Sequence, residues 1–198
     1  MKQKNILLAL ILSAGFSISV FSGNVSTDDP LVKMRLNEKL SYDLYADFAD
    51  MWKLDVFSSI GESKVVHKMR MKSLLKKLGI KDPVENNFDR GSFENQEFNK
   101  IYRELILRGS VSETEALKAC AYNEEQIIKE LSDCISFVSD EILEKTLLQM
   151  NLTTGAHLRA LVKAINRKGD LYSPQVLSKG EFDAIMGSGK DNFSFGEE

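Results

Sequence analysis

The residues of this chain best suited to chemistry are two histidines, His67 and His157, and three carboxylates, Glu38, Glu124 and Glu125. Imidazole and carboxylate together form a donor set for a transition ion such as iron, zinc or manganese. Each candidate sits on or beside an apolar run of three- and four-residue spacing, where a dry helical stripe is expected. His67 lies on the stripe Phe57, Ile60, Lys64, His67, Met71, Leu74, Leu78. His157 lies on Leu143, Leu147, Met150, Thr154, His157, Leu161, Ile165. Glu124 is the charged member of Leu117, Cys120, Glu124, Ile127, Leu131, Cys134, Val138, with Glu125 beside it. Glu38 interrupts Leu31, Met34, Glu38, Tyr42, Tyr45, Trp52. Burying a charge without a partner is costly, so something must face Lys64 and His67.

Four long helices follow from these stripes. The first spans about Leu31 to Lys53, and a short turn leads into the second, which ends at Leu78 with Gly79 as a left-handed cap. Ile80 to Glu94 is a polar, non-periodic crossover, followed by a short helix over Asn95 to Arg108. Ser112-x-x-Glu115 matches a capping box and opens the third long helix. The fourth runs from Glu141 to Arg167 and stops at Gly169, and Leu171 to Met186 forms a C-terminal cap. One short turn, one long crossover and one tight turn describe an all-α, up-down four-helix bundle. Mid-helix positions of an antiparallel bundle share a level, so Glu38, His67, Glu124 and His157 are expected to converge.

The 198 residues allow one domain with tails, and 26 Lys and Arg against 29 Asp and Glu argue against a nucleic-acid partner. Lys2 and Lys4 precede an apolar run from Ile6 to Phe21, the pattern of a secretory signal peptide cut after Ser22, with a single uncleaved membrane anchor as the alternative. The expected organisation is a signal peptide over 1–22, a linker over 23–30, the bundle over 31–186 and a disordered tail over 187–198. An exported protein, periplasmic or extracellular, without stable membrane insertion after cleavage follows from that pattern. Cys120 and Cys134 fall two heptads apart on one helix, about 21 Å, and read as core thiols rather than a disulfide. No serine–histidine–acid arrangement is readable, because both histidines are assigned to the bundle interior. The lysines Lys68, Lys72, Lys76 and Lys77 read as a solvated face.

Glutamates on the first and third helices, with a histidine one turn after a second position on the other two, resemble the ferritin-like fold. Five segments resemble more closely the bacterial and archaeal family called domain of unknown function 2202: Glu38 to Tyr45, Val56 to Ser63 with His67, Glu124-Glu125, His157 to Ala160, and Tyr172-Ser-Pro to Glu181-Phe. The resemblance covers about Leu31 to Met186. It implies a ferritin-like bundle with a long crossover carrying a short helix, and metal ligands at Glu38, His67, Glu124, Glu125 and His157. Lys64 stands three residues before His67, where relatives typically carry Glu, and Thr154 stands three before His157. Ile127 stands three after Glu124, where an acid is expected, and Ala156 replaces a polar residue. A dinuclear carboxylate centre needs a Glu on each of two helices and Glu-x-x-His on each of the others. Two divalent ions plus the Lys64 ammonium would outweigh the two or three carboxylates present. The expectations left open are one iron, zinc or manganese ion held by these ligands, or no metal, with Lys64 filling its electrostatic role.

Overall fold

The computed structural model describes residues 29–188, which fold into six helices and, among those residues, no strand. They are α1 (Pro30–Trp52), α2 (Asp55–Lys77), α3 (Gln96–Gly109), α4 (Glu113–Phe137), α5 (Glu141–Arg167) and α6 (Lys179–Gly187). The expected signal peptide, residues 1–22, lies outside the described residues, as does 189–198. Pro30, expected in a linker, is instead the first residue of α1, behind an Asp29 cap whose carboxylate accepts from the Leu31 and Val32 amides.

Local chemistry sets the other boundaries. Lys53 adopts a left-handed conformation (φ 53°), which lets α1 reverse into α2 within two residues. At the end of α2 the Gly79 and Ile80 amides donate back to the Lys76 and Leu75 carbonyls, a Schellman closure made possible by Gly79 at φ 69°. Ser112 caps α4 by accepting from the Glu115 amide. The reciprocal half of that expected capping box is absent, because the Glu115 side chain pairs with Arg108 and Lys118 instead. A complete capping box occurs at Ser178 and Glu181, opening α6.

α1 packs on α2 and α4, and α5 packs on α4 and α2, closing a four-helix ring. Register shows that neighbours run antiparallel. Along α1, Asn37 meets Glu130 and Tyr45 meets Glu124; along α4, Glu124 meets His157 and Ser132 meets Asn151. The long crossover is therefore required, because α2 and α4 run in the same direction. It descends the outer face of α1, pinned by Arg35 to Asp82, by Lys39 to the Asp89 carbonyl, and by Arg90 to Asp47 and Asp50. This explains a polar ladder that is nonetheless buried, Arg35, Lys39 and Asp43.

The apolar interior is divided in two. One block gathers Leu40, Leu44, Phe48, Phe57, Ile60, Cys120, Leu158 and Leu161, among others. The other gathers Met34, Met71, Ile127, Leu131, Cys134, Leu147 and Met150. Both cysteines are free thiols, one in each block, as the two-heptad spacing requires. Between the blocks lies the polar layer.

Candidate functional site

Each of the four long helices contributes to that layer. Glu38 comes from α1, Lys64 and His67 from α2, Glu124 from α4, and Thr154 and His157 from α5. Glu38, Lys64, Glu124 and Thr154 are fully buried, and His67 and His157 nearly so. The expected convergence at one level of the bundle is what the helices produce.

Lys64 is at its centre. Its Nζ lies 3.0 Å from Glu124 Oε2 and 3.6 Å from Glu38 Oε2, so one ammonium from α2 bridges carboxylates on the neighbouring helices α1 and α4. His67 Nδ1 lies 3.3 Å from Glu38 Oε1, and His157 Nδ1 lies 3.5 Å from Glu124 Oε2. The two imidazole centroids are 5.7 Å apart. Tyr45 donates its hydroxyl to Glu124 Oε1 at 2.8 Å, and Ser41 stands 3.5 Å from the same oxygen. Three buried polar atoms of the layer find no hydrogen-bond partner, Glu38 Oε2, His67 Nε2 and His157 Nδ1, and outside it Arg35 Nη1 and Asn123 Nδ2 find none either.

The electrostatics follow from this arrangement. Burial pushes the Glu124 carboxyl up, but Lys64 and His157 outweigh it and bring it down to about 2. Burial opposes ionisation of Glu38 likewise, and Lys64 with His67 holds that carboxyl below its usual range. Lys64 is pulled down by burial and up by both glutamates, and the glutamates prevail. Burial keeps His157 below the ordinary imidazole value despite Glu124. Burial and the Glu124 charge lift the Tyr45 phenol well above its normal range, fixing it as a donor. The layer thus holds two carboxylates, one ammonium and a neutral His157.

The expected ligand Glu125, and Thr154 at the position three before His157, do other work. Glu125 is fully buried but faces away from the layer, because adjacent helical residues point about 100° apart. Its carboxylate accepts from the Gln175, Val176 and Leu177 amides and from the Tyr172 hydroxyl, fastening the segment before α6 to α4. A carboxylate so occupied has no oxygen to offer a metal beside Glu124. Thr154 Oγ1 donates to the Met150 carbonyl one turn back, as helical threonines commonly do. Among the described residues, no three or more His, Cys, Asp and Glu side chains stand in metal-holding geometry.

One arrangement escaped the sequence. Ser63 Oγ lies 2.9 Å from His157 Nε2, and with Glu124 behind the ring it completes a serine–histidine–acid series. Ser63 precedes Lys64 on α2 and so reaches the seam between α2 and α5, where it is half-buried. Two features separate it from a nucleophilic centre. His157 Nδ1 lacks a hydrogen bond, and Ser63 is the ninth residue of Asp55–Lys77, where backbone amides are used by the helix and none is free for an oxyanion. The serine is read as the outer anchor of His157.

The family described as "Uncharacterized protein domain (DUF2202)" matches residues 27–189, which includes every residue of the layer. The chain belongs to the DUF2202 family. The uncharacterized protein MJ0754 of Methanocaldococcus jannaschii is 38% identical over 160 residues, 80% of this chain and 85% of that protein. The crystal structure of the hypothetical protein MJ0754 superposes with a TM-score of 0.77 at 35% identity, covering 80% of this chain and 90% of that one. The DUF2202 fold of this chain is therefore shared along nearly its whole described length.

Proposed function

We propose that this protein is an exported, ferritin-like bundle in which a lysine ammonium takes the place of a metal, and that it serves as a structural or interaction protein. The observation that carries this reading is Lys64 Nζ between Glu124 Oε2 and Glu38 Oε2, at 3.0 and 3.6 Å. A cation at that point satisfies the carboxylates that would otherwise bind a divalent ion, and repels any ion approaching within about 5 Å. The arrangement of one glutamate on each of α1 and α4, with a histidine on each of α2 and α5, supports the ferritin-like assignment.

A second reading is a single iron, zinc or manganese ion held by Glu38, His67, Glu124 and His157. It is favoured by three of the five buried side-chain atoms without partners among the described residues, Glu38 Oε2, His67 Nε2 and His157 Nδ1, which belong to that donor set. The donor chemistry fits such an ion, and the Lys64 position opposes it. The two separate by counting metal per chain after incubation with ferrous iron, zinc or manganese and gel filtration, using untagged protein. Substoichiometric metal in the wild type, rising towards one ion in Lys64→Glu, is the expected result. One ion per wild-type chain, lost in His67→Ala, would establish the second reading and overturn the first.

A further inference from the structure

The buried face of α2 makes the polar layer; its opposite face carries a pattern of its own. From Lys64 to Lys81 the chain holds seven basic residues and no carboxylate, although the whole protein has a net charge of −3. Two are committed inward: Lys64 to the layer, and Lys68 to the ring of Tyr42, 3.6 Å from its centroid. Among the described residues, Arg70, Lys72, Lys76, Lys77 and Lys81 form no salt bridge, whereas Lys33, Lys118, Lys129, Lys145, Lys168 and Lys179 each do. Asp140, the cap of α5, feels the charge of Lys77 but spends its carboxylate on the Leu143 amide.

The helical period arranges these cations around an apolar ridge. Val65, Val66 and Met69 project outward, with exposures of 40, 47 and 67%. At about 100° per residue, Lys72 falls on one side of that ridge and Arg70 and Lys77 on the other, with Lys76 between. An exposed apolar ridge between two cationic flanks suits a surface that is negative at phosphate depth and oily beneath. No aromatic side chain lies on the strip for bases to stack upon, which disfavours single-stranded nucleic acid.

We infer that the outer face of α2 is a peripheral docking surface for anionic phospholipid bilayers. Arg70, Lys72, Lys76 and Lys77 contact headgroup phosphates, and Val66 and Met69 enter the interfacial layer. Among the described residues no helix is long and apolar enough to cross a membrane, so the contact is superficial and reversible. This inference is independent of whether the polar layer holds a metal.

Sedimentation of the full chain with vesicles of phosphatidylglycerol and phosphatidylcholine, against phosphatidylcholine alone, provides the test. Each basic side chain near such a surface is worth about fivefold in binding, so R70E/K72E/K76E should weaken the charged-vesicle partitioning about a hundredfold or more. Raising the salt to 0.5 M should do the same to the wild type, and V66S/M69S should weaken binding without altering its salt dependence. All five side chains are outside the core, and circular dichroism checks that the variants remain folded. Equal binding to neutral vesicles would assign the affinity to the apolar N-terminal run and overturn the inference. So would charged-vesicle binding unchanged in the triple variant, or heparin and single-stranded DNA competing fully while V66S/M69S behaves as wild type.

Discussion

Replacing Lys64 with methionine keeps most of the side-chain volume and removes the charge. Glu38 and Glu124 would then face one another, fully buried, with no cation between them. At an effective dielectric of 20, an ammonium at these two distances attracts each carboxylate by about 5 kcal/mol. Desolvating the three ions offsets much of that, so the net loss is set by the uncompensated carboxylates, about 3–5 kcal/mol. For a domain of this length that corresponds to roughly 6–20 °C in Tm. Urea unfolding of wild type and Lys64→Met at pH 7.5 measures the difference, followed by the same pair at pH 5. Glu124 is held at about 2 by Lys64 first among its partners, so in the variant its pKa must climb and a proton can replace the lost cation. The deficit should therefore shrink on acidification. A loss below about 1 kcal/mol at pH 7.5, or a deficit that grows at pH 5, would refute the bridging role of Lys64.

Wild-type stability should fall on acidification: His157 has a folded pKa depressed by burial, so its contribution, full above the unfolded value of about 6.5, declines below it. Glu124 adds a second loss between about 4.5 and about 2, of about 3 kcal/mol at 1.4 kcal/mol per unit, and a flat urea midpoint from pH 7 to pH 3 would contradict both. Glu125→Ala leaves the amides of Gln175, Val176 and Leu177 without their acceptor, so limited proteolysis should cut within 171–178 well before the wild type is cut; identical digestion kinetics would discount the latch. In Gly109→Ala the new Cβ would overlap the Phe48 ring, and Phe48 is fully buried, so thermal unfolding should show a loss of about 1–3 kcal/mol; an unchanged Tm would mean that the ring can move aside.

The polar layer was legible because it is written in helical period. Glu38, Lys64, His67, Glu124 and His157 each break an apolar stripe near its middle, and antiparallel packing brings the breaks together. Glu125, next to Glu124 in sequence, is expected in the layer but points about a quarter-turn away from it, towards partners some fifty residues later in the chain. Arg35, Lys39 and Asp43 form an equally regular i, i+4 ladder, yet its burial depends on Asp82, Asp89 and Gly91 arriving from the crossover. No local pattern announces that arrival. Ser63 was hidden for a related reason, since its partner His157 lies across a seam whose width only the fold determines.

The division of the core gives the layer a role beyond charge balance. Helices with purely apolar stripes can slide by a turn and repack, since one leucine substitutes for another at modest cost. Here a one-turn slip of α2 would move Lys64 into the block of Phe57 and Ile60 or His67 into that of Met71 and Leu74. Either would leave Glu38 and Glu124 without their cation, while His157 lost the Ser63 hydroxyl. The buried pairs thus select one register for all four helices even where they contribute little net stability. A metal ion at the same point would impose the same register, and so would be dispensable for the fold once a lysine stood there. That is why Lys64 can be accommodated in a layer otherwise furnished with carboxylates and imidazoles, and why its replacement by glutamate is the substitution most informative about what the layer does.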